Sequence, residues 1–233
     1  MDAFGQAARA ENVQLLVGTR WSRPAAVRGE HDPDCLAHCS KVRRKSLRRA
    51  RRRLEQHGSV DLRLHCPESS RDPLFRAFLN LENRGWKRRE ATSLLGAHED
   101  LGAFQESIDR FAQQRRIVIA VLRCGRRIAA ASLNLLAGDT LFALKIGWDL
   151  DLAEGSPGVW AELLLPQLVF DEFPQVAVVD GCAQPGSYLE QLWPGRRELA
   201  ALDVNWSSYG RLWATFRHSA RTVKNFIGEW LPT

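Results

Sequence analysis

No apolar run in this 233-residue chain approaches the roughly 18 to 20 residues that a membrane helix needs. The start, MDAFGQAARAENVQ, also lacks a basic region followed by a hydrophobic one. A globular chain resident in the cytoplasm is therefore expected. Cysteine is sparse as well. Cys35, Cys39, Cys66, Cys124 and Cys182 are odd in number and scattered, which argues against a disulfide framework and for reduced thiols. Cys35, His38 and Cys39, with His31 nearby, look like half of a zinc site, but no second CxxC or HxxxH completes it, so no metal is expected. Internal repeats are absent too. What is present, 45% hydrophobic residues with 26% charged, suffices for a full core in one large domain or two small ones.

Basicity is concentrated. The whole chain carries +6, whereas SKVRRKSLRRARRRLEQHG at 40–58 sets nine Lys and Arg against Glu55 alone, leaving the remainder slightly acidic. Val42, Leu47, Ala50 and Leu54 recur at near-helical spacing. Ser40 is placed to cap the start and Gly58 to end it, so the segment reads as an amphipathic helix with a thin apolar stripe. Its cations suit phosphate, RNA or an anionic surface, or else form a solvated face.

The stretch FALKIGWDLDLAEGSPG at 142–158 carries the most chemistry. A strand runs into a short acidic loop and then into Ser156-Pro157-Gly158, which opens an apolar helix. Ser is a favoured N-cap, Pro suits the first helical position, and Gly lets a ligand approach the backbone N–H groups. Such a helix start is a ready anion site, with a phosphate-bearing cofactor as the first candidate. A well-capped helix with nothing bound is the alternative.

Along the chain, residues 1–39 show little periodicity beyond a strand-like Val13 to Val17. After the basic helix come a strand at Val60–His65, helices near 73–84 and 99–114, and strands at 116–123, 127–136 and 140–147. Cys124-Gly125 and Gly138-Asp139 punctuate those strands as hairpin turns. Helix 157–172 then leads to a strand at 176–180, a short helix near 187–193, a strand near 198–206 and a helix near 208–227. Strands 140–147 and 176–180 should be parallel neighbours, with ligands at their carboxyl ends. Pro166 should kink or split its helix.

This element order resembles the GNAT acyl-CoA N-acyltransferase fold: an α/β architecture whose mixed central sheet is splayed between its fourth and fifth strands, with helices on both faces. The basic segment, GWK at 85–87, RRIAAASLNLLAGDTLFALKIGWD, the SPG turn and VVDGC at 178–182 look like the cellulose-biosynthesis-associated acetyltransferases (CelD/BcsL type), a branch related to Fem-type aminoacyltransferases. The resemblance implies an acyltransferase domain over 40–233, preceded by an arm or the remnant of a half-domain at 1–39. It implies acetyl-CoA or another acyl-CoA as donor, entering between strands 140–147 and 176–180 with its pyrophosphate on Gly155, Ser156, Pro157, Gly158 and Val159. Where the usual phosphate loop has Arg or Gln, this chain has Leu152, and Pro157 stands where a second Gly or Ala is usual.

Acyl transfer to an amine needs a neutral nucleophile, donors for the oxyanion and an acid for the leaving thiolate. Backbone N–H groups of strand 140–147 suit the oxyanion. Asp149 and Asp180, each following one of the two parallel strands, are the candidate bases, or else turn caps. Tyr188 stands where many GNAT enzymes place the tyrosine that protonates the thiolate, although Leu189 follows it where relatives often have Lys. Lys145, opposite Phe142, Leu144 and Ile146 by alternation, is expected to meet an anionic ligand in the cleft. Trp86 and Lys87 lie on the acceptor side, as substrate contacts or, for the Trp, as core. Trp148, Trp160, Trp193, Trp206 and Trp213 read as core or cleft walls. The expected acceptor is an amine on a sugar or small envelope-related metabolite, in a cellulose or exopolysaccharide setting. A Fem-like transferase using aminoacyl-tRNA held by residues 41–53, and a non-catalytic remnant, are the competing expectations.

Overall fold

The computed structural model describes residues 2–30, 32, 34–84, 93–96 and 98–205. Helix α1 (Asp2–Ala10) and strand β1 (Gln14–Val27) precede the basic helix α2 (Lys41–Glu55). Ser40 caps α2 as expected, its Oγ accepting from the Arg43 N–H at 3.2 Å. Leu47, Ala50 and Leu54 form the buried stripe, but Val42 is 81% exposed. Five residues of α-helix rotate Val42 by about 140° from Leu47, well off that stripe.

Strand β2 (Val60–His65) leads to α3 (Pro73–Glu82), which Asp72 caps by accepting from the Leu74 and Phe75 N–H groups, and then to α4 (His98–Gln113). A meander follows: β3 (Ile117–Cys124), β4 (Arg127–Ala137) and β5 (Thr140–Trp148). Its two tight turns place Gly125 at φ 58° and Gly138 at φ 61°, the left-handed region that glycine enters without a Cβ clash. A 3₁₀ turn at Leu150–Gly155 then feeds α5 (Pro157–Glu172). Strand β6 (Val178–Asp180), a second 3₁₀ turn at Tyr188–Gln191 and β7 (Gly195–Asn205) complete the described chain. The expected helix near 208–227, with Trp206, Trp213 and His218, lies outside the described residues.

Among the described residues the sheet has seven strands in the order β2-β3-β4-β5-β6-β1-β7. β5 and β6 run parallel, as the spacing predicts, while Ala25–Val27 of β1 pair antiparallel with the other side of β6. The strand-like start at Val13 thus runs much further than its sequence signal. By compactness the chain divides into Arg23–Arg197 and, separately, Met1–Ser22 with Glu198–Thr233. The candidate site lies within the larger unit.

Alternation along β3 sorts the core into two layers. Val118, Ala120 and Leu122 pack with Leu47 and Leu54 of α2 and Leu163, Leu165 and Val169 of α5. Ile117, Ile119 and Val121 pack on the opposite face with Phe75 and Phe78 of α3 and Ile108 of α4. The fold is therefore the expected mixed sheet with helices on both faces. No helix among the described residues is long and apolar enough to cross a membrane.

Pro166 neither splits nor ends α5, which runs continuously through it. The missing N–H would have bonded the Glu162 carbonyl four residues back. The Trp193 indole N–H reaches that carbonyl instead, at 3.0 Å.

Candidate functional site

The β5–β6 ladder pairs all of β6 with the start of β5, from Thr140↔Val178 to Phe142↔Asp180, after which β6 ends, β5 runs on to Trp148, and a cavity opens between β5 and residues 181–183. Two residues beyond the last pair, β5 bulges. Leu133 faces Lys145 and Asn134 faces Ala143, leaving Leu144 as the extra residue. Two cavities border this part of β5. One of about 290 Å³ is bordered by Ile146, Trp148, Ser156–Val159 and Tyr188, with Arg43 reaching it from α2. The other, about 220 Å³, is bordered by Ser132, Leu144, Glu162, Cys182 and again Tyr188.

The start of α5 departs from expectation in detail. Ser156 sits at φ 50°, ψ 53° and its side chain makes no cap hydrogen bond; its N–H instead closes the 3₁₀ turn onto Ala153 O at 2.9 Å. A non-glycine residue held left-handed marks a tight reversal imposed by its surroundings. The surroundings are visible. A Cβ on Gly155 would overlap the Leu54 side chain of α2, and one on Gly158 would lie 3.1 Å from Trp148 Cδ1. Packing thus favours glycine at both positions, since a Cβ at either would make Leu54 or Trp148 shift. Helix geometry nevertheless leaves the first-turn N–H groups of Gly158 and Val159 without an intrahelical acceptor, while Pro157 has none to satisfy.

The two strand-end aspartates are clamped. Asp180, fully buried, is gripped by Arg23 at 2.6–2.7 Å and by Arg197 at 3.1 Å, and it accepts the Cys182 N–H at 2.9 Å. Asp149, also buried, pairs with Arg127 at 2.7 Å and Arg84 at 3.2 Å and takes the Asp151 N–H as the cap of the 3₁₀ turn. Burial works against its charge. The Arg127 hydrogen bond, the Asp151 N–H and the charges of Arg127 and Arg84 outweigh that penalty and hold the carboxyl below its ordinary 3.8. Each carboxylate thus meets two arginines and a backbone N–H.

Tyr188 differs. Its hydroxyl donates to Glu162 Oε2, and its ring borders both cavities. The residue is 43% exposed, but desolvation around its hydroxyl, then the charge of Glu162 and the hydrogen bond to it, push its pKa above the ordinary 10. Glu162 escaped the sequence reading. Its signal was one acid in the otherwise apolar opening of α5, PGVWAELLLP. Cys182, at the edge of the second cavity, is a thiol pushed up to about 11 by burial and by the charge of Asp180, which suits no nucleophile.

Lys145 is placed by the bulge. It borders the second cavity, but its Nζ is drawn to Glu82 Oε1 at 3.3 Å, on the α3 side. Simple alternation failed because the bulge at Leu144 shifts every later side chain of β5 by one position. Ile146 and Trp148 therefore join the α5 layer while Lys145 turns to Glu82. Trp86 and Lys87 lie outside the described residues. Among the described residues no group of three or more His, Cys, Asp or Glu could hold a metal ion.

A family model described as an acetyltransferase (GNAT) domain matches residues 41–165, from the basic helix to the middle of α5. The chain belongs to the GNAT acetyltransferase family. It thereby carries a transferase domain, and the mixed sheet with parallel β5 and β6 is the family's fold in this chain. No curated protein matches its sequence. Among solved structures the GNAT chain is similar to the C-terminal domain of a putative lysylphosphatidylglycerol synthetase from Agrobacterium fabrum: 14% identity, TM-score 0.50, covering 92% of this chain and 68% of that one. A conserved protein of unknown function from Bacteroides thetaiotaomicron is similar at 12% identity and TM-score 0.45, over 86% of this chain and 66% of that one. L-PGS from Bacillus licheniformis is similar at 10% and 0.41, over 96% and 71%. The chain thus spans about two thirds of the length of these structures.

Proposed function

We propose that this GNAT domain, taken as residues 40–233, transfers an acyl group, acetyl in the first place, from acyl-CoA to a small-molecule amine. The observation that carries the reading is Tyr188, which borders both the cavity at the start of α5 and the cavity between β5 and residues 181–183. A donor laid along that path puts its phosphates at Ser156–Val159 and its thioester beside β5. The amine attacks the thioester carbonyl, N–H groups near the Leu144 bulge face the oxyanion, and the C–S bond breaks. Tyr188, kept protonated by Glu162, gives its proton to the departing sulfur and is reloaded by the proton that the attacking nitrogen loses as the tetrahedral intermediate collapses to the amide. Asp180 and Asp149 position the strand ends in this scheme. An acceptor amine on a sugar or envelope-related metabolite, and a tie to cellulose or exopolysaccharide synthesis, rest on the family resemblance; a cytoplasmic location follows from the donor.

Aminoacyl-tRNA is the second reading, favoured by one observation. Lys41, Arg44, Lys45, Arg48, Arg49 and Arg52 border a single open groove of about 600 Å³ on α2. The similarity to a putative lysylphosphatidylglycerol synthetase points the same way. Calorimetric titration separates the two. Micromolar affinity for acetyl-CoA and CoA supports the first reading, whereas no heat with millimolar acetyl-CoA and salt-sensitive binding of tRNA would replace it with the second.

A further inference from the structure

Helix α2 carries one cation on its buried side. Arg43, Leu47, Ala50 and Leu54 fall within about 60° of one another around the helix, and the last three are buried. A guanidinium on an apolar stripe is not placed there for solvation. Neighbouring arginines off that stripe have partners: Arg51 donates to Val60 O at 2.8 Å and lies over Trp160, Arg44 donates to Cys39 O at 3.1 Å, and Arg53 meets Glu154 at 3.4 Å. The Arg43 Nε is buried and has no hydrogen-bond partner among the described residues, and its side chain borders the cavity at the start of α5. Leu54, on the same stripe, packs where a Cβ on Gly155 would stand, which fixes α2 against the loop and so fixes Arg43 beside Gly158 and Val159. Leu152, at the loop position where a phosphate-binding side chain would be looked for, is 3% exposed and apolar.

We infer that Arg43 is the diphosphate-binding residue of this chain. A diphosphate is held between its planar donor fork and the first-turn N–H groups of α5, the charge coming from another helix instead of from the loop. The identity of the ligand as acyl-CoA rests on the function proposed above; the diphosphate site itself does not.

The test is calorimetric titration of the full chain and of Arg43→Gln with CoA, ADP and pantetheine, which has no diphosphate. Arg110→Gln, an exposed arginine on α4 paired with Glu106, is the charge-matched control. Loss of charge-assisted hydrogen bonds should weaken CoA and ADP about 10- to 100-fold. Pantetheine affinity and the thermal midpoint should stay unchanged, Arg110→Gln should bind as the unaltered protein does, and Arg43→Lys should fall between. If the unaltered protein binds ADP but not CoA, and Arg43→Gln loses ADP, the diphosphate site stands and the acyl-CoA reading falls. The inference is overturned if Arg43→Gln keeps full affinity, if it loses pantetheine as strongly as CoA, or if the unaltered protein binds neither ADP nor CoA at millimolar concentration.

Discussion

Two kinds of buried carboxylate stand within the same unit. Asp149 and Asp180 close the ends of β5 and β6, and each is bracketed by two guanidinium groups and a backbone N–H. Glu162, on α5, borders the cavity beside those strands and accepts a hydrogen bond from the Tyr188 hydroxyl. Position at a strand end made the aspartates look reactive. Their neighbours tie each of them to two cations and a backbone N–H, which anchors the strand ends. Glu162 instead raises the proton affinity of Tyr188, the group at the mouth of both cavities.

The contrast predicts where substitutions act. The largest effect is expected for Asp180→Asn, which leaves Arg23 and Arg197 facing a neutral group in a fully buried position. A loss of about 2–4 kcal/mol is expected from urea unfolding, and a stable, inactive Asp180→Asn protein would return Asp180 to the chemistry. Asp149→Asn should lose about 1–2 kcal/mol at neutral pH, since its arginines are half-exposed. Its folded pKa lies below 3.8, so the Asp149 contribution is complete above about pH 4 and fades as pH falls through the lowered value. The gap between the two proteins should accordingly close on acidification. The smallest free-energy change belongs to Tyr188→Phe: kcat down roughly tenfold with KM nearly constant, because the bond to sulfur forms only as the thiolate leaves. With its pKa raised, Tyr188 should give no alkaline loss of rate below about pH 10.

What the sequence disclosed follows the range of the interactions concerned. Strand 60–65 and helix 157–172 were legible to the residue, and Gly125 and Gly138 marked both hairpins, because periodicity and turn chemistry are local. Lys145 was misdirected by a single extra residue, Leu144, whose presence shows only in the pairing with β4. Ser156 has the composition of an N-cap and the geometry of a left-handed link, a choice made by the packing of Leu54 and Trp148 around it. Arg23 and Arg197, which neutralise Asp180, lie 157 and 17 residues away in sequence, beyond any spacing rule. Arg43 was hidden in plain sight among nine basic residues; only the phase of the buried stripe singles it out.

Pro166 gives α5 a second use. By withholding one amide hydrogen it leaves an acceptor on the helix surface at residue 162, and the indole of Trp193 docks there. The short turn holding Tyr188 ends beside that indole, so the tyrosine is indexed to the very residue whose side chain it bonds. Backbone and side chain of Glu162 thus act as a two-pin connector between helix and turn. A designer who replaced Pro166 to perfect the helix would withdraw one pin and let the phenol's alignment drift.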